Sequence, residues 1–270
     1  MKVLSLFDGI AGARQALKEL NIDCEYYASE IDKYAMQVAS ANHPDILQIG
    51  DIKNIFYAHN DLTFANEKGF NYCQDVNFTL LIGGFPCQSF SIAGNRKGLD
   101  DERGQLFFEA LRILNEVKPK YFLFENVASM SKSNQDFISE KLGVQPVMIN
   151  SDRFLQQNRE RLYWTNIKID ELPKRPNWKG QYYQWRRTYF RENKSGVCPT
   201  LTANMGSGGH NVPLKSKNLK DKLSVREVCK LQGFPDGYCD LVSKTQGYKA
   251  LGNSFTIPVI KHIIKTIYEK

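Results

Sequence analysis

The sequence predicts an α/β fold, a mostly parallel sheet covered by helices on both faces, with a small irregular β-rich lobe set into its second half. Three observations carry that expectation. Short runs at 2–7 (KVLSLF), 78–84 (FTLLIGG) and 121–126 (YFLFEN) are apolar at consecutive positions, as strands buried on both faces are. Segments with a helical repeat separate them. After about residue 168 the repeat stops, and 169–222 holds Pro173, Pro176, Pro199, Pro213, a GSGG run and many aromatic and basic side chains.

The elements follow in order. The first strand ends at Asp8-Gly9, and residues 11–20 read as a helix with Ala13, Ala16, Leu17 and Leu20 on one stripe. Residues 24–29 (CEYYAS) form a second strand, and 31–41 a second helix that stops before Pro44. Asp51 follows a further short strand. The run 78–84 ends in two glycines, 104–117 is an amphipathic helix, and 121–126 is another buried strand. Ser224-Val-Arg-Glu227 has the form of a capping box, so helices resume there, and the chain closes on an apolar segment at 257–268. The expected organisation is therefore a catalytic and cofactor-binding domain at 1–168, a lobe at 169–222, and a return to the first domain at 223–270.

Composition narrows the function classes. The 270 residues are 42% hydrophobic and 24% charged, enough for one sizeable core. No run of eighteen apolar residues occurs, and the N-terminal apolar stretch is too short for a signal peptide. A cytoplasmic protein with no membrane partner is expected. The six cysteines are scattered without CxxC or Cys/His spacing, which predicts neither a disulfide framework nor a metal site. Net charge is +7, unevenly spread. Residues 1–150 carry 14 basic and 19 acidic side chains, and residues 151–270 carry 22 basic and 10 acidic. That asymmetry suits a second half that meets a polyanion, although a solvated basic surface would look the same.

Five motifs carry chemistry. Asp8-Gly9-Ile10-Ala11-Gly12 lies between a strand and a helix, where glycines admit a ligand to a helix N-terminus; a plain tight turn is the alternative. Glu30 closes the next strand, where a carboxylate can bind ribose hydroxyls, and Asp51 follows a further short strand; together they outline a nucleoside-cofactor crevice. In Gly83-Gly84-Phe85-Pro86-Cys87-Gln88-Ser89, Cys87 sits just past a central strand, at the ligand face of the sheet. It is either a thiolate nucleophile or a small buried hydrophobe. The glycine-bearing loop 88–104 suits a lid. Glu125, after four apolar strand residues, belongs at the same edge as Cys87, where a carboxyl can hold a proton, or else cap the next helix. Arg159 and Arg161 share a face if Gln157-Asn158-Arg159-Glu160-Arg161 is a strand. Gly252-Asn253-Ser254-Phe255 precedes the last helix.

In this order and spacing the series LSLFDGIAG, SEID, GDI, GGFPCQSFS, RGQLFFE, FENV, QNRER, LSVREVCKLQGFP and LGNSF resembles the cytosine-C5 DNA methyltransferases over nearly the whole chain. FENVASM with the later PVMI is similar to animal de novo DNA methyltransferases, while the compact length is more like a bacterial or phage enzyme. The resemblance implies a Rossmann-like, S-adenosylmethionine-dependent methyltransferase sheet with a target-recognition lobe. It implies that Phe7 stacks on the adenine of S-adenosylmethionine, that Gly9 and Gly12 admit its methionine part, and that Glu30 holds the ribose. Ile31 would cover the adenine, where a bulky aromatic is more usual, and Asp51 would accept from its amino group. Asn253 and Ser254 would reach the same cofactor, and Asp8, Ile10, Ile52, Gly84, Pro86 and Leu106 would complete its surroundings.

The implied reaction explains the other residues. Cytosine C5 is a poor nucleophile until a Cys87 thiolate adds to C6. Glu125, protonated, would donate to N3, Arg161 would bind O2, and Arg159 would stand beside it among the catalytic residues. The base must leave the stack of double-stranded DNA first. Gln88, Ser89, Arg186, Arg187, Arg191 and Asn204 are the expected DNA contacts, since Arg and Asn can read base edges. A monomer is expected, and a cognate restriction endonuclease is a partner the family suggests. Three alternatives remain at this point: an RNA cytosine methyltransferase of similar fold, a catalytically dead DNA-binding homologue, and an unrelated nucleotide-dependent oxidoreductase.

Overall fold

The computed structural model describes residues 1–86, 102–186, 188–207 and 212–268. The chain opens with β1 (Lys2–Leu6), α1 (Gly12–Glu19), β2 (Glu25–Ser29), α2 (Lys33–Asn42) and β3 (Leu47–Gln48). Three short strands follow, β4 (Ile55–Ala58), β5 (Asp61–Asn66) and β6 (Gly69–Cys73). Then come β7 (Leu80–Gly83), α3 (Glu102–Val117), β8 (Tyr121–Val127), α4 (Lys132–Leu142), β9 (Val147–Asn150) and β10 (Glu160–Thr165). The second half holds β11 (Tyr182–Trp185), β12 (Phe190–Asn193) and β13 (Val212–Leu214), then α5 (Val225–Gln232), α6 (Lys244–Asn253) and α7 (Ile257–Ile264).

Seven strands form the central sheet in the order β3-β2-β1-β7-β8-β10-β9. The pairs β1–β2, β2–β3, β1–β7 and β7–β8 are parallel, and β10 runs antiparallel to both β8 and β9. The consecutive apolar residues of the central strands divide by parity between two cores. Val3, Leu80, Ile82, Leu123 and Tyr163 pack with Leu17, Val38, Val228 and Ile260 from α1, α2, α5 and α7. Leu4, Leu6, Leu81, Phe122, Phe124, Leu162 and Trp164 pack with Phe107, Ile113 and Ile138 from α3 and α4. Each strand therefore serves two layers, which is why it lacks polar alternation.

Side chains at the helix starts fix where the turns begin. Asp32 accepts from the backbone of Tyr34 and Ala35, Ser131 from Asn134, and Ser243 from Gln246. The capping box expected at Ser224 and Glu227 forms with both of its bonds. Among the described residues no helix is long and apolar enough to cross a membrane, and no cluster of metal-ligating side chains occurs.

Two features differ from the expectation. Residues 55–73 form an antiparallel meander, β4-β5-β6, turned at its first corner by His59 and Asn60, both with positive φ as a type I′ hairpin requires. Its inward residues Ile55, Tyr57, Leu62 and Phe64 join the second core, whereas Phe56, Phe70 and Tyr72 face outward. The segment 169–222 is also not one lobe. The antiparallel sheet β12-β11-β13 closes over a small core of Tyr183, Val212 and Leu214, but Cys198, Leu201 and Met205 are buried in the first core of the main sheet. Residues 198–205 thus return to the catalytic layer before β13 leaves it again.

The meander's two faces give a direct test. Phe64, 1% exposed, should cost about 3–5 kcal/mol when replaced by alanine, because burial is lost and a cavity remains. Phe70→Ser, on the outward face, should cost about 1 kcal/mol or less. Urea unfolding of both variants checks this, and equal losses would contradict the assigned register.

Candidate active site

The carboxyl ends of β1, β2, β7 and β8 open on one cleft of about 1050 Å³. That exceeds what a single drug-sized ligand needs and leaves room for a nucleoside cofactor beside a second planar group. Phe7, Gly9, Glu30, Ile31, Asp51, Ile52, Gly84, Pro86, Leu106 and Asn253 line it on one side. Glu125, Asn158, Arg159, Arg161 and the residues from Thr200 to Asn204 line it on the other.

The first compartment is built by β1 and β2. Glu30 closes β2, and its two oxygens accept from the backbone N–H groups of Gly9 at 2.7 Å and of Ile31 and Asp32 at 2.8 Å each. Those bonds fix the carboxylate: Oε1 takes two of them, and Oε2, which takes one, keeps capacity for a further hydroxyl. Gly9 has φ +62°, and a Cβ placed there would meet nothing within 4 Å, so the loop offers open space to the cleft. Ile31 lines the cleft and is 73% exposed, so it presents an uncovered apolar face to it. An acidic group, open backbone and an uncovered apolar face together fit an adenosine-type cofactor. Across the mouth Lys249 of α6 reaches Asp32 at 2.6 Å. Burial works against the Asp32 charge, but Lys249 and the α2 N-terminal N–H groups hold its carboxyl below the usual value.

The second compartment is built by β8 and β10. Their antiparallel register sets Tyr163 opposite Glu125 and Arg161 opposite Val127. Glu125 and Arg161 thus project from neighbouring positions toward the same face and form an ion pair, Nε to Oε1 2.8 Å, each side chain 13% exposed. Gly84 makes room for it, since a Cβ at that position would stand 3.2 Å from a Glu125 oxygen. Asn126 is buried and donates to the Phe85 carbonyl at 3.1 Å, which anchors the backbone leading into Pro86. A carboxyl and a guanidinium side by side can bind the donor and acceptor edge of a heterocyclic base.

Several expected site residues lie elsewhere. Asp8 does not line the cleft: its carboxylate is buried, accepting from Ser5 and Tyr26 at 2.6 Å each. Ile10 is fully buried in the first core. Gly12 does not line the cleft: a Cβ there would stand in ordinary contact with Phe255 at 3.4 Å and Ile257 at 3.5 Å. The Ser254 hydroxyl is buried and turned to the Leu251 carbonyl at 2.9 Å. Arg159 is 3% exposed and donates to the carbonyls of Leu201, Gly252 and Ser254.

Arg186 and Arg191 sit on the β11–β12 hairpin, apart from Asn204, which is exposed on the cleft wall. Cys87, Gln88, Ser89 and Arg187 lie outside the described residues, as does most of the proposed lid at 88–104. The sequence reading missed Ser29, Asn158, Gln246 and Lys249 as cleft residues. Ser29 and Asn158 lie inside the quoted series SEID and QNRER without being singled out there, and Gln246 and Lys249 carry no local motif, so only tertiary packing reveals them.

Comparison with known proteins agrees with this geometry. The profile of the C-5 cytosine-specific DNA methylases matches residues 1–197 and 175–269. The chain is 34% identical to the type II methyltransferase M.Bsp6I of Bacillus sp. (strain RFL6), over all of this chain and 99% of that protein. It is 30% identical to the type II methyltransferase M1.ScrFI of Lactococcus lactis subsp. cremoris, over 99% of this chain and 78% of that one. The fold matches that of the S. pombe Dnmt2 methyltransferase with a TM-score of 0.67 at 19% identity, covering 100% and 98% of the two chains.

The buried Asp8 yields a pH prediction. Burial, reinforced by the charge of Glu30, outweighs the hydrogen bonds from Ser5 and Tyr26 and pushes its carboxyl up to about 6. In the unfolded chain the group titrates near pH 4. Between these values the native state keeps a proton that the unfolded state has released, so this contribution is full below about pH 4 and is lost as pH rises through 6. The loss is roughly 3 kcal/mol at most. Asp8→Asn should flatten the fall of Tm between pH 4 and 7, whatever its offset. Parallel Tm profiles for the two proteins would contradict the assignment.

Proposed function

The chain belongs to the C-5 cytosine-specific DNA methylases, and from that membership we propose the roles its residues take in methylating cytosine at C5. The enzyme uses S-adenosylmethionine, which supplies an electrophilic methyl group, and its substrate is DNA. The observation that carries the residue assignment is the single cleft with the braced Glu30 on one side and the Glu125–Arg161 pair on the other.

Phe7, Gly9, Glu30, Ile31, Asp51, Ile52 and Asn253 would hold the cofactor, with Glu30 accepting from the ribose hydroxyls and Ile31 covering the adenine. Gly84, Pro86 and Leu106 form the floor between the two compartments. The Cys87 thiolate adds to C6 of a cytosine flipped out of the duplex. Glu125, which must take up a proton on leaving its ion pair with Arg161, gives it to N3 as the ring gains electron density and takes it back when the ring re-forms, and Arg161 binds O2. C5, now enamine-like, would attack the methyl group that S-adenosylmethionine supplies, the methyl–sulfur bond breaking to leave S-adenosylhomocysteine. A base then removes the C5 proton, the C5–C6 double bond re-forms and Cys87 leaves as thiolate. The β11–β12 hairpin, with Arg186 and Arg191, reads bases flanking the target, and Asn204 contacts DNA from the cleft wall; Arg187, Gln88 and Ser89 are further proposed DNA contacts.

Residues 1–168 and 223–270 form the catalytic and cofactor-binding domain, and 169–222 supplies recognition, apart from the stretch 198–205 that packs against the main sheet. The chain is taken to act as a cytoplasmic monomer on double-stranded DNA, and the type II naming of its relatives supports a companion endonuclease of the same specificity.

Incubation with labelled S-adenosylmethionine and duplex DNA should place the label on C5 of cytosine. Duplex carrying 5-fluorocytosine at the target should yield an adduct stable to denaturant, and Cys87→Ser should abolish it. Label incorporated only into transfer RNA, or an adduct that survives Cys87→Ser, would overturn this reading. Arg186→Ala or Arg191→Ala should relax one position of the methylated site about tenfold, the loss of a base contact worth roughly 1–3 kcal/mol. Bisulfite sequencing that returns an unchanged site from both variants would remove the hairpin from recognition.

A further inference from the structure

Arg159 occupies a place that neither compartment explains. It is 3% exposed, lies one residue before β10, and donates from one terminal nitrogen to the Leu201 carbonyl at 3.1 Å. The other terminal nitrogen donates to the carbonyls of Gly252 at 3.1 Å and Ser254 at 2.8 Å. Leu201 belongs to the loop that returns from the recognition lobe to the cleft wall. Gly252 lies in the last turn of α6 and Ser254 opens the loop that follows it, so the two flank Asn253 on the cofactor side. One planar guanidinium therefore holds the backbones of both loops, 93 and 95 residues away on one side and 42 on the other.

Two further contacts make the loops one body. A Cβ at Gly252 would fall 2.3 Å from the Ala203 nitrogen and 2.3 Å from the Thr202 carbonyl carbon, so the two backbones touch with no space between them. Beneath them Gln157 donates to the Leu231 carbonyl at 2.6 Å and to the Gln232 side chain at 3.0 Å. Gln232 in turn donates to the Leu251 carbonyl at 2.7 Å and accepts from Thr256 at 3.0 Å. Thr200 donates to the Asn158 carbonyl at 2.7 Å. Buried polar networks of this kind have few alternative arrangements, because displacing one member strands the others without partners.

We propose that Arg159 is a positioning residue that links the two binding events: by tying the recognition-side loop to the cofactor-side loop, it makes DNA binding and cofactor binding reciprocal. This rests on the assignment of the two compartments given above. Ordering of the cofactor loop by a bound nucleoside is transmitted through the shared guanidinium to residues 200–204, and ordering of those residues by DNA is transmitted back. Lysine cannot replace it, since a single ammonium cannot meet three carbonyls that the flat, five-donor guanidinium spans. Arg161, two residues on, faces Glu125 and serves chemistry instead.

The test uses the full chain, S-adenosylhomocysteine and a labelled duplex carrying the site mapped by bisulfite sequencing. Each ligand is first titrated alone. Duplex affinity is then measured by fluorescence anisotropy with and without saturating S-adenosylhomocysteine, and S-adenosylhomocysteine affinity by calorimetry with and without duplex. For the wild type both ratios should agree and reach about fivefold or more, the lower range of measured couplings. Arg159→Lys should bring both ratios below about twofold. Arg161→Lys should keep the ratios while kcat collapses. Loss of folded protein alone lowers the active fraction and leaves the ratios untouched, which separates this role from a structural one. If Arg159→Lys does not fold, Thr200→Val, which cuts the adjacent tie while keeping side-chain shape, must lower the ratio. Three results would overturn the proposal: an unchanged ratio in the variant, a collapse of kcat with the ratio intact, or a wild type that binds both ligands with a ratio of one. The last would leave the methyl-transfer reading standing.

Discussion

The antiparallel pairing of β10 with β8 is the constraint on which the site depends. Every other bonded neighbour in the line from β3 to β8 is parallel, so the ends of those strands supply backbone turns and single acidic residues to one edge of the sheet. A reversed strand brings to that same edge its beginning rather than its end. Arg161, the second residue of β10, arrives beside Glu125, the fifth residue of β8. The pair is mostly shielded from water, so its attraction is screened less than on a surface, and removing either partner strands a charge in a poorly solvated place. Such a pair contributes more to the geometry of the cleft than to the stability of the fold.

The same reversal explains why the two halves of the cleft can communicate. The residues that lead into β10 pass under the recognition-side loop on one flank and the cofactor-side loop on the other. Arg159 turns inward there and satisfies carbonyls from both, while Gln157 donates to the Leu231 carbonyl of α5 beneath them. A parallel strand at this position would present its C-terminal end instead, and the loops would have no common anchor. The fold thus converts one change of strand direction into a catalytic pair and a structural tie, two residues apart.

Much of this was readable from the sequence, for physical reasons that differ by element. β1, β7 and β8 declare themselves because strands buried on both faces must be apolar at every position. Glu30 and Glu125 stand out because a carboxylate immediately after such a run has to sit at the sheet edge. The meander was not legible: FYA, DLTFAN and GFNYC are half polar, and the His59-Asn60 turn lacks the usual Asn-Gly form, although the period-two alternation is there in retrospect. Strand direction in β10 is set by long-range pairing and leaves no local trace. Alternate spacing placed Arg159 and Arg161 on one face but could not show that one of them is covered by returning loops. Gly12 and Gly9 look alike in sequence, yet one is open to the cleft and the other faces Phe255 and Ile257. Composition marked 169–222 as a unit, while the burial of Leu201 and Met205 depends on contacts with α6 and the first core that composition does not encode.

The central claim is that the Glu125–Arg161 pair activates the bound base rather than merely holding DNA. Single-turnover methyl transfer by Glu125→Gln, at saturating duplex and S-adenosylmethionine, tests it most directly when the duplex dissociation constant is measured on the same protein. The account predicts a rate lowered by about 10²–10⁴ with DNA affinity within about twofold of wild type, as for a positioned proton donor. A variant that binds DNA far more weakly but transfers the methyl group at the wild-type rate once bound would contradict it.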